Sequence, residues 1–517
     1  MSEALAAQLD LLPGYLTAHL QLALVALLLG ATLSVPAGVW VTRRTALEPG
    51  VLGLASVVQT IPSLALLAIM VPVLGSLGAL TARAFGVELR SIGYLPAVVA
   101  LTLYSVLPIL RNTVTGIAGV DPALVEAARG VGMTGGQRLR RVELPLAMPV
   151  VVAGVRTAAV WVVGAATLST PVGATSLGNY IFSGLQTRNT TAVLVGCGAS
   201  ALLALALDQT IRLLEAGARR RSRRLVLAAA AILVALYGYT AASFAAGRVA
   251  PGSVVRIGAK TFTEQYILAE LLALHVRRET GLDAEIVGSL GSTVAFDALR
   301  SGDLDVYVDY SGTIWATIMK RGGSFATREA VLAEVASFLA SRHGIRLVGA
   351  LGFENTYALG MRAERAAALG VTRVGDLARL APRLEIGGDY EFFQRPEWTA
   401  LVESYGLRFR RQRSMDSALM YQAVAEGQVD VISAFSSDGR IAAYGITLLE
   451  DERGVIPPYD AIVLAGPGLA ARAPQALEAL GRLAGSIDEA TMQRLNLSVD
   501  RDGRAPADVA RAFLDGR

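Results

Sequence analysis

The chain contains very little cysteine, histidine or lysine, and each scarcity excludes a class of protein. Its lone cysteine, Cys197, cannot form an internal disulfide framework. Neither of its two lysines, Lys260 and Lys320, follows a glycine, so the Gly-x-x-x-x-Gly-Lys-Ser/Thr loop that cradles nucleotide phosphates is absent. The three histidines are scattered and form no zinc or iron constellation, so neither a metal site nor a bound cofactor is predicted: His19, His275 and His343.

Charged residues are also few. They make up 17% of the 517 residues against 53% hydrophobic residues, the opposite of the balance in disordered or nucleic-acid-coating chains, and no nucleic-acid partner is expected. The net charge of +4 is divided unevenly along the chain. Residues 1–250 contain 18 arginines, no lysine and 9 acidic residues, whereas residues 251–517 contain 29 basic and 34 acidic residues. The two halves are therefore expected to be domains of different kinds.

The first half contains six long windows without Asp, Glu, Lys or Arg, at residues 11–42, 49–82, 91–110, 157–187, 189–207 and 225–247. A helix needs about 20 apolar residues to cross the hydrocarbon core of a bilayer. Six such windows within 250 residues argue against the alternative, a set of buried helices in a large soluble core. The windows predict six transmembrane helices, near residues 16–41, 52–74, 94–111, 148–169, 191–213 and 225–246.

The arginines between these helices predict the orientation of the chain in the membrane. If six helices alternate, eleven arginines lie on one side and four on the other, and the positive-inside rule assigns the larger group to the cytoplasm. The N-terminus and everything after residue 247 are then outside, and the last helix, led by the basic run 219–224, is an uncleaved anchor. The larger group is Arg43, Arg44, Arg129, Arg138, Arg140, Arg141, Arg219, Arg220, Arg221, Arg223 and Arg224; the smaller is Arg83, Arg90, Arg188 and Arg248.

One predicted cytoplasmic loop, residues 121–145, carries a specific pattern. It reads Asp121-Pro-Ala-Leu-Val-Glu126-Ala-Ala-Arg-Gly-Val-Gly132, then nine residues, then Val-Glu-Leu-Pro145. Asp121 is expected to cap a short helix whose first residue is the following proline, and Gly132 permits a sharp turn. The paired alanines leave one face of this helix nearly bare, so that another protein can approach closely.

The spacing of this loop (Glu-Ala-Ala, three residues, Gly, nine residues, an aliphatic residue, one residue, Leu-Pro) resembles the EAA loop of ABC importer permeases. In that family the loop docks into the ATPase subunit and converts nucleotide-driven closure into movement of the transmembrane helices. The resemblance implies that a separate ATPase subunit uses the ATP and that this chain is a transporter subunit and not an enzyme. It implies an ATPase-docking role for Glu126, Ala127, Ala128 and Gly132.

Two proline-containing segments of the apolar helices, Gln59-Thr-Ile-Pro62 and Leu107-Pro108, are similar to the compatible-solute branch of these permeases. A proline inside a helix frees a backbone carbonyl, which is tolerated where that carbonyl faces a transport pathway or another helix. Simple kinking is the alternative role of both prolines.

After residue 250, short β-type runs alternate with helical stretches, which predicts an α/β architecture. Two internal echoes support a duplicated arrangement. Residues 298–310 match residues 423–435 at an offset of 125, and residues 257–265 match residues 386–394 at an offset of 129. Two echoes in the same order at nearly one offset favour two lobes of similar build, which are predicted at about 254–352 with 457–517 and at about 353–456.

The ends of the echoed strands predict where a ligand binds. Ligands of open α/β sheets bind at the carboxyl ends of strands, so two facing lobes form a cleft between such ends. The chain is expected to cross between lobes near residues 352–357 and to return near residues 456–460. The side chains predicted to bind substrate are Lys260, Gln265, Asp309, Tyr310, Thr313, Tyr357, Asp389, Tyr390, Ser437 and Tyr459.

Four tyrosines among these candidates indicate the chemistry of the ligand. An aromatic face attracts a cation that cannot donate hydrogen bonds, above all a quaternary ammonium, by about 0.5–2 kcal/mol per contact. The polar candidates Lys260, Gln265 and Thr313 suit a carboxylate at the other end of the ligand. Half-buried packing is the alternative role of any single tyrosine in the set Tyr310, Tyr357, Tyr390 and Tyr459.

Four motifs of the second half look like those of the glycine betaine/choline/carnitine binding-protein family: Gly258-x-Lys260-x-Phe-Thr-Glu-Gln265, Asp305-x-Tyr307-x-x-Tyr310-x-Gly-Thr313, Asn355-Thr-Tyr357-Ala-Leu and Pro457-Pro-Tyr459. The resemblance implies that Tyr310, Tyr357 and Tyr459 are cage tyrosines. Val308-Asp309 stands where Pro-Glu is usual in that family, which leaves the exact ligand open. Ergothioneine, a trimethylated histidine betaine imported by similar permease–receptor fusions, meets the same physical requirements.

Together these features predict an all-α polytopic membrane domain of the type I ABC importer kind, followed by a two-lobed α/β periplasmic-binding-protein-like domain. The predicted parts are a permease at 1–218, a basic run with the last helix at 219–250, and an extracytoplasmic binding domain at 251–517. The expected function is uptake of a quaternary-ammonium solute across the cytoplasmic membrane. The expected partners are an ABC ATPase subunit, a second copy of the chain and membrane lipid.

Two other functional classes fit parts of the pattern. A membrane-anchored solute sensor would use the same binding domain for signalling, but it would have no need of an EAA-like loop or of six helices. An enzyme would need a nucleophile–base pair or a metal constellation beside Asp309, Asp389 or Asp438, and none is visible in the sequence.

Overall fold

The computed structural model describes residues 3–85, 90–186, 189–246, 254–321 and 327–516. The chain forms two compact units, one helical and one α/β, with the boundary near residue 250. The helices of the first unit are α1 (Glu3–Val41), α2 (Glu48–Thr60), α3 (Ser63–Phe85), α4 (Tyr94–Ala118), α5 (Pro122–Gly130), α6 (Gly135–Arg138), α7 (Leu144–Ala166), α8 (Gly178–Gln186), α9 (Thr190–Arg220) and α10 (Arg223–Ala246).

Five helices of the described residues are long and apolar enough to cross a membrane: α1, α4, α7, α9 and α10. The predicted single helix at 52–74 is wrong, because α2 and α3 meet at a bend of 100°. Pro62 causes the break, since proline donates no N–H and forces the preceding residue out of the helical region. Ile61 accordingly has extended angles, with φ −71° and ψ 126°. If the bent pair is one broken crossing, the unit has six.

The prolines of α2–α3 and α4 lie in two segments that contact each other. Pro108 cannot donate to the carbonyl of Tyr104 one turn earlier. Gln59 Nε2 donates to that carbonyl instead, at 3.1 Å. The Tyr104 hydroxyl in turn donates to the carbonyl of Ile61, the residue before Pro62. The carbonyl freed by Pro108 therefore faces another helix, which is one of the two environments expected from the sequence.

Helix α4 forms the centre of the helical unit, packed between α1 and α7. Small residues permit the close approach of α4 and α7. A Cβ added to Gly154 would lie 2.8 Å from the carbonyl oxygen of Pro108 and 2.6 Å from Asn112 Cβ. Close backbone approach at small residues is typical of helices that pack within membranes, where no hydrophobic force drives them together.

The second unit alternates strands and helices, as predicted. Its strands are β1 (Val254–Lys260), β2 (Asp283–Leu290), β3 (Val306–Tyr310), β4 (Arg346–Glu354), β5 (Tyr357–Arg362), β6 (Glu385–Gly388), β7 (Arg411–Ser414), β8 (Val431–Phe435), β9 (Ile446–Leu448) and β10 (Asp460–Ala465). Its helices are α11 (Thr263–Thr280), α12 (Ser292–Ser301), α13 (Ser311–Thr313), α14 (Arg328–His343), α15 (Ala363–Leu369), α16 (Pro396–Tyr405), α17 (Ser417–Ala425), α18 (Arg440–Ala443), α19 (Leu469–Arg472), α20 (Pro474–Gly481), α21 (Glu489–Asp500) and α22 (Pro506–Asp515).

The strands form two five-stranded sheets with equivalent topology. The first sheet has the order β2-β1-β3-β10-β4 and the second the order β7-β6-β8-β5-β9. In the first sheet β3 pairs parallel to β1 and antiparallel to β10; in the second sheet β8 pairs parallel to β6 and antiparallel to β5. The echoed sequence segments contain β1 with β3 and β6 with β8. The prediction of two lobes with similar build is therefore confirmed, and we call them the first and second lobe.

The central strands of both lobes are almost entirely buried. All five residues of β3 and all six of β10 are buried. Strand β3 of the first lobe ends at Tyr310, and β8, the corresponding strand of the second lobe, ends at Phe435. Both ends therefore carry aromatic side chains to the same edge of their sheets.

Candidate substrate-binding site

A cavity of about 150 Å³ lies in the α/β unit and is lined by residues at the carboxyl ends of β1, β3, β6 and β8. This is the position expected for a ligand of open α/β sheets. Seven of the ten substrate-binding residues predicted from the sequence line it: Lys260, Tyr310, Thr313, Tyr357, Asp389, Tyr390 and Tyr459. Tyr390 is 64% exposed, so it lies at the mouth of the cavity and not in its interior.

The other three predicted residues, Gln265, Asp309 and Ser437, lie behind the cavity wall. Gln265 Nε2 donates to the hydroxyl of Tyr310 at 3.0 Å, and Asp309 forms a buried ion pair with Lys260. Ser437 is turned toward a buried carboxylate. The structure thus gives these side chains the role of holding residues of the wall in place, because their polar atoms are engaged there.

Aromatic rings from both lobes surround the cavity. Phe262 and Phe435 are parallel within 3°, with centroids 6.1 Å apart. Tyr357 lies 5.0 Å from Phe435 and, nearly edge-on, 5.8 Å from Tyr459. Phe262 also stacks on Tyr310 at 6.2 Å. The sequence motifs identified the three tyrosines as cage residues, and both phenylalanines lie in the same cluster.

Arg395 also lines the cavity and was missed in the sequence. Its guanidinium lies 5.0 Å above the ring of Tyr357, and its Nη2 contacts Glu397 at 3.2 Å and the hydroxyl of Tyr459 at 3.3 Å. Arg395 directly follows the echoed segment 386–394 and precedes Pro396, the first residue of α16. Extending the echo by one residue would have included it.

Two protein cations therefore occupy aromatic faces of the cluster. Arg395 covers one face of Tyr357, and Lys260 Nζ lies 5.3 Å from the ring centre of Tyr310. Both tyrosines nevertheless line the cavity. Arg395 Nη1 also pairs with Glu391 at 3.4 Å, so Nε is the N–H of this guanidinium that has no partner among the described residues and is left for an anion.

A buried carboxylate joins the two lobes behind the cavity. Glu264 Oε1 accepts from the Tyr310 hydroxyl at 2.5 Å and from Asn355 Nδ2 at 3.0 Å. Its Oε2 accepts from Ser437 Oγ at 2.5 Å and from Asn496 Nδ2 at 3.1 Å. Burial raises the pKa of Glu264, whereas these four hydrogen bonds act in the opposite direction. Ser437 follows β8 of the second lobe, so this carboxylate ties a cavity tyrosine of the first lobe to the second.

Asp389 is an acidic residue of the cavity wall, and its two carboxylate oxygens differ in their hydrogen bonding. Its Oδ1 accepts the backbone N–H groups of Glu391 at 2.8 Å and Phe392 at 3.0 Å, an arrangement typical of aspartate in a turn. Burial raises the pKa of Asp389, partly offset by those backbone hydrogen bonds. Asp389 Oδ2 has no hydrogen-bond partner among the described residues.

The loop with the EAA-like spacing folds largely as predicted. Asp121 caps α5 by accepting the N–H of Ala123 at 2.9 Å, and Pro122 is the first helical residue. Gly132 has φ 78°, which glycine adopts without strain. Of the two alanines, Ala127 is exposed and Ala128 is buried, so Ala127 is the one accessible to another protein.

The accessible part of this loop is partly apolar. Glu126, Ala127 and Gly132 are exposed, and so are the large hydrophobic side chains of Leu124 and Val131. Single exposed hydrophobic residues are common, but two within one short loop suit a surface that contacts another protein. The loop therefore presents a mixed acidic and apolar face.

The base of the same loop is held by Glu143. This buried carboxylate pairs with Arg43 at the end of α1 and with Arg138 at 2.8 Å. A buried carboxylate that loses its partners is strongly destabilising. Glu143 therefore ties the loop to the ends of two apolar helices.

Comparisons with known proteins match both halves of the chain. Residues 253–516 match the family described as the substrate-binding domain of ABC-type glycine betaine transport systems. Residues 30–220 match the family described as the inner membrane component of binding-protein-dependent transport systems.

Three relatives illustrate the two parts. The ergothioneine transport permease/ergothioneine binding protein EgtU of Helicobacter pylori strain G27 is 29% identical over 92% of this chain and 85% of its own length. The glycine betaine/carnitine/choline permease OpuCB of Bacillus subtilis strain 168 is 42% identical over 38% of this chain and 83% of its own. The carnitine transport binding protein OpuCC of Listeria monocytogenes strain 10403S is 32% identical over 50% of this chain and 85% of its own. Nothing in these similarities supports the sensor alternative.

Proposed function

Because this chain belongs to the family of ABC-type glycine betaine transport systems, with an inner-membrane component and a substrate-binding domain in one polypeptide, we propose that it captures a small betaine or choline-like solute and imports it. The α/β unit closes around the solute outside the cytoplasmic membrane and delivers it to the helical unit. The quaternary ammonium of the solute lies against the aromatic cluster, and its carboxylate lies toward Arg395.

The observation that carries this proposal is the combination of aromatic rings with one buried guanidinium at a single cavity. Phe262, Tyr310, Tyr357, Phe435 and Tyr459 offer π faces, which attract a cation without offering it hydrogen-bond acceptors. Arginine binds carboxylates in a bidentate manner. A ligand in which a cation without N–H donors is joined to an anion therefore complements this cavity.

The size of the cavity points in the same direction. Its volume of about 150 Å³ is well below the roughly 300–1,000 Å³ of pockets that hold drug-sized ligands. An apolar cavity of about this volume accommodates benzene. We therefore expect a compact solute with a short chain between its charged groups.

The arginine distribution supports the orientation of the chain. If the bent pair α2–α3 counts as one crossing, the six crossings alternate and the arginine-rich loops share the cytoplasmic side. The α/β unit, which follows α10 in the chain, then lies outside the cytoplasmic membrane. There it can bind the solute before transport. A reporter fused after residue 517 and another placed in the loop of α5 should give opposite accessibility to a membrane-impermeant label.

The loop 121–145 supports a partner role for an ABC ATPase. The family of the helical unit works with such partners, and the exposed Leu124, Glu126, Ala127, Val131 and Gly132 form the face on which we propose that the ATPase docks. Two copies of the chain would supply two such faces and two binding units to one pathway. The basic run 219–224 would meet anionic lipid headgroups at the cytoplasmic surface.

Binding tests the proposal directly. The full-length chain in lipid nanodiscs is titrated calorimetrically with glycine betaine, choline, carnitine and ergothioneine, and choline is compared with 3,3-dimethylbutan-1-ol, its uncharged isostere. We expect at least one quaternary ammonium to bind and the uncharged isostere to bind at least tenfold more weakly than choline if choline is a ligand. Equal binding of the isostere would mean that the aromatic cluster recognises shape and not charge.

A pair of variants sharpens the test. Tyr357→Leu removes a π face and should weaken binding of the quaternary ammonium by about 2- to 30-fold, whereas Tyr357→Phe keeps the face and should change it little. Tyr444→Leu, at a tyrosine outside the cavity lining, is the matched control. If both Tyr357 variants bind as the unmodified chain does, Tyr357 is not part of the cage.

A further inference from the structure

Three polar atoms of residues that line the cavity have no hydrogen-bond partner within the described part of the chain: Asp389 Oδ2, Asn355 Oδ1 and Arg395 Nε. Their residues are more than nine-tenths buried, with exposures of 8%, 5% and 7%. Buried polar atoms of native proteins are almost always paired. These three atoms belong to residues around one cavity, where a bound ligand can supply their partners.

Two of these atoms, Asn355 Oδ1 and Asp389 Oδ2, are hydrogen-bond acceptors, as the contacts of the neighbouring atoms show. Asn355 Nδ2 donates to the carboxylate of Glu264 at 3.0 Å, so the amide oxygen of Asn355 is the atom left without a partner. Asp389 uses Oδ1 for two backbone N–H groups, which leaves Oδ2. A trimethylammonium group has no N–H and cannot satisfy either oxygen. The carboxylate of a betaine cannot do so either, because it is itself an acceptor.

Given the proposed function, we propose that this site selects betaines that carry an N–H or O–H donor in addition to the quaternary ammonium and the carboxylate, and that Asp389 accepts a hydrogen bond from that donor. Glycine betaine has no such donor, carnitine has one hydroxyl, and ergothioneine in its thione form has two ring N–H groups. Asn355 supplies a second acceptor, which suits a ligand with two donors. The specificity then depends on unpaired oxygens, because a ligand without donors leaves them buried and unsatisfied.

The test uses ligands that differ only in the donor. Carnitine and γ-butyrobetaine are identical except for the hydroxyl, and ergothioneine and glycine betaine extend the comparison. Each is titrated calorimetrically into the full-length chain in lipid nanodiscs. We expect the tightest ligand to be a donor-bearing betaine, and the dissociation constant of its donor-free counterpart to be about 10- to 100-fold higher. If γ-butyrobetaine or glycine betaine binds as tightly as carnitine and ergothioneine, water satisfies the acceptors and the proposal is overturned.

Asp389→Asn assigns the effect to one residue. The variant keeps Oδ1 for the backbone N–H groups but places an N–H₂ donor where Oδ2 was, so it repels a ligand donor. We expect it to weaken the donor-bearing betaines about 10- to 100-fold and to change γ-butyrobetaine by less than threefold. Asp508→Asn, at an exposed aspartate of α22, is the matched control. Equal weakening of all betaines would assign Asp389 a structural role and refute the assignment.

The two proposals fail in distinguishable ways. If none of the betaines binds the unmodified chain, the proposed function itself is wrong, and the selection of donors is overturned with it. If donor-free betaines bind well, the function stands and only the selection fails. The comparison of carnitine with γ-butyrobetaine on the unmodified chain remains decisive even if Asp389→Asn does not fold.

Discussion

Replacing Glu264 by glutamine should weaken the link between the lobes and leave the cavity tyrosine in place. Glutamine keeps one carbonyl oxygen and gains two N–H donors. Turned toward Tyr310 and Asn355, that oxygen preserves both of their hydrogen bonds. The amide group then faces Ser437, whose hydroxyl can rotate to accept, and Asn496 Nδ2, which cannot accept, so the hydrogen bond to Asn496 is lost. The opposite orientation is worse, because the Tyr310 hydroxyl already accepts from Gln265 and the Asn355 amide can only donate.

The size of the expected coupling between Glu264 and Ser437 follows from the loss of charge at their hydrogen bond. Hydrogen bonds to charged groups contribute about 1.5–3 kcal/mol, against about 0.5–1.5 kcal/mol for neutral ones. Ser437→Ala in the unmodified chain removes a bond to the carboxylate, and with about 2–4 °C per kcal/mol for a unit of this size it should lower the midpoint of thermal unfolding by about 3–12 °C. In the Glu264→Gln background the same substitution removes only a neutral bond and should lower the midpoint by about 1–6 °C.

The assay is a double-mutant cycle of Glu264→Gln and Ser437→Ala, followed by thermal unfolding of the full-length chain in detergent. Glu478→Gln, at an exposed position, serves as control. We expect a coupling free energy of about 1 kcal/mol between the two positions and less than threefold loss of ligand affinity in Glu264→Gln. Two effects that simply add, within about 0.3–0.5 kcal/mol, would refute the link between Glu264 and Ser437.

Three further predictions concern other parts of the chain. Arg395→Lys should weaken glycine betaine about tenfold in calorimetry but choline, which has no carboxylate, by less than threefold, because lysine has no N–H at the position of Arg395 Nε. Asp389 has Glu391 and Arg395 as charged neighbours, and burial raises its pKa. The affinity for a donor-bearing betaine should therefore fall as the pH decreases through that raised pKa, beginning above the usual range of aspartate. Asp389→Asn should abolish this pH dependence. Gln59→Leu leaves the Tyr104 carbonyl without its donor and should destabilise the helical unit by about 1–3 kcal/mol in thermal unfolding, whereas equal midpoints would show that the contact contributes nothing.

Charge-free windows and sheet echoes predicted most of the fold, because both reflect strong physical requirements. A crossing helix has to exclude charge over its whole length, so five of six predicted segments appear as single helices. The prediction of a single helix at 52–74 failed at Pro62, because a charge-free window indicates hydrophobicity but does not show where the chain bends. The two lobes were predictable because β1 with β3 and β6 with β8 retain similar sequences at equivalent positions.

The candidate site was predictable where a motif contains an aromatic residue and less so elsewhere. Tyr310, Tyr357 and Tyr459 were found because each belongs to a motif at a strand end or a crossing between lobes. Arg395 was missed because it lies one residue beyond the echoed segment 386–394 and arginine is common in this chain. The burial of Ala128 depends on which side of α5 packs against the rest of the unit, and a short helix of small residues does not specify that side.

The buried ion pairs at the cavity have a consequence for where the chain can operate. Lys260 is paired with Asp309 and Arg395 with Glu397, and all four side chains are at least nine-tenths buried. Dissolved salt shortens the Debye length from about 8 Å at physiological ionic strength to about 3 Å at 1 M, but it acts mainly on exposed charges. A zwitterionic solute brings no net charge from a distance, so its capture needs no long-range attraction. The receptor should therefore hold its solute in concentrated brine nearly as well as in a dilute medium.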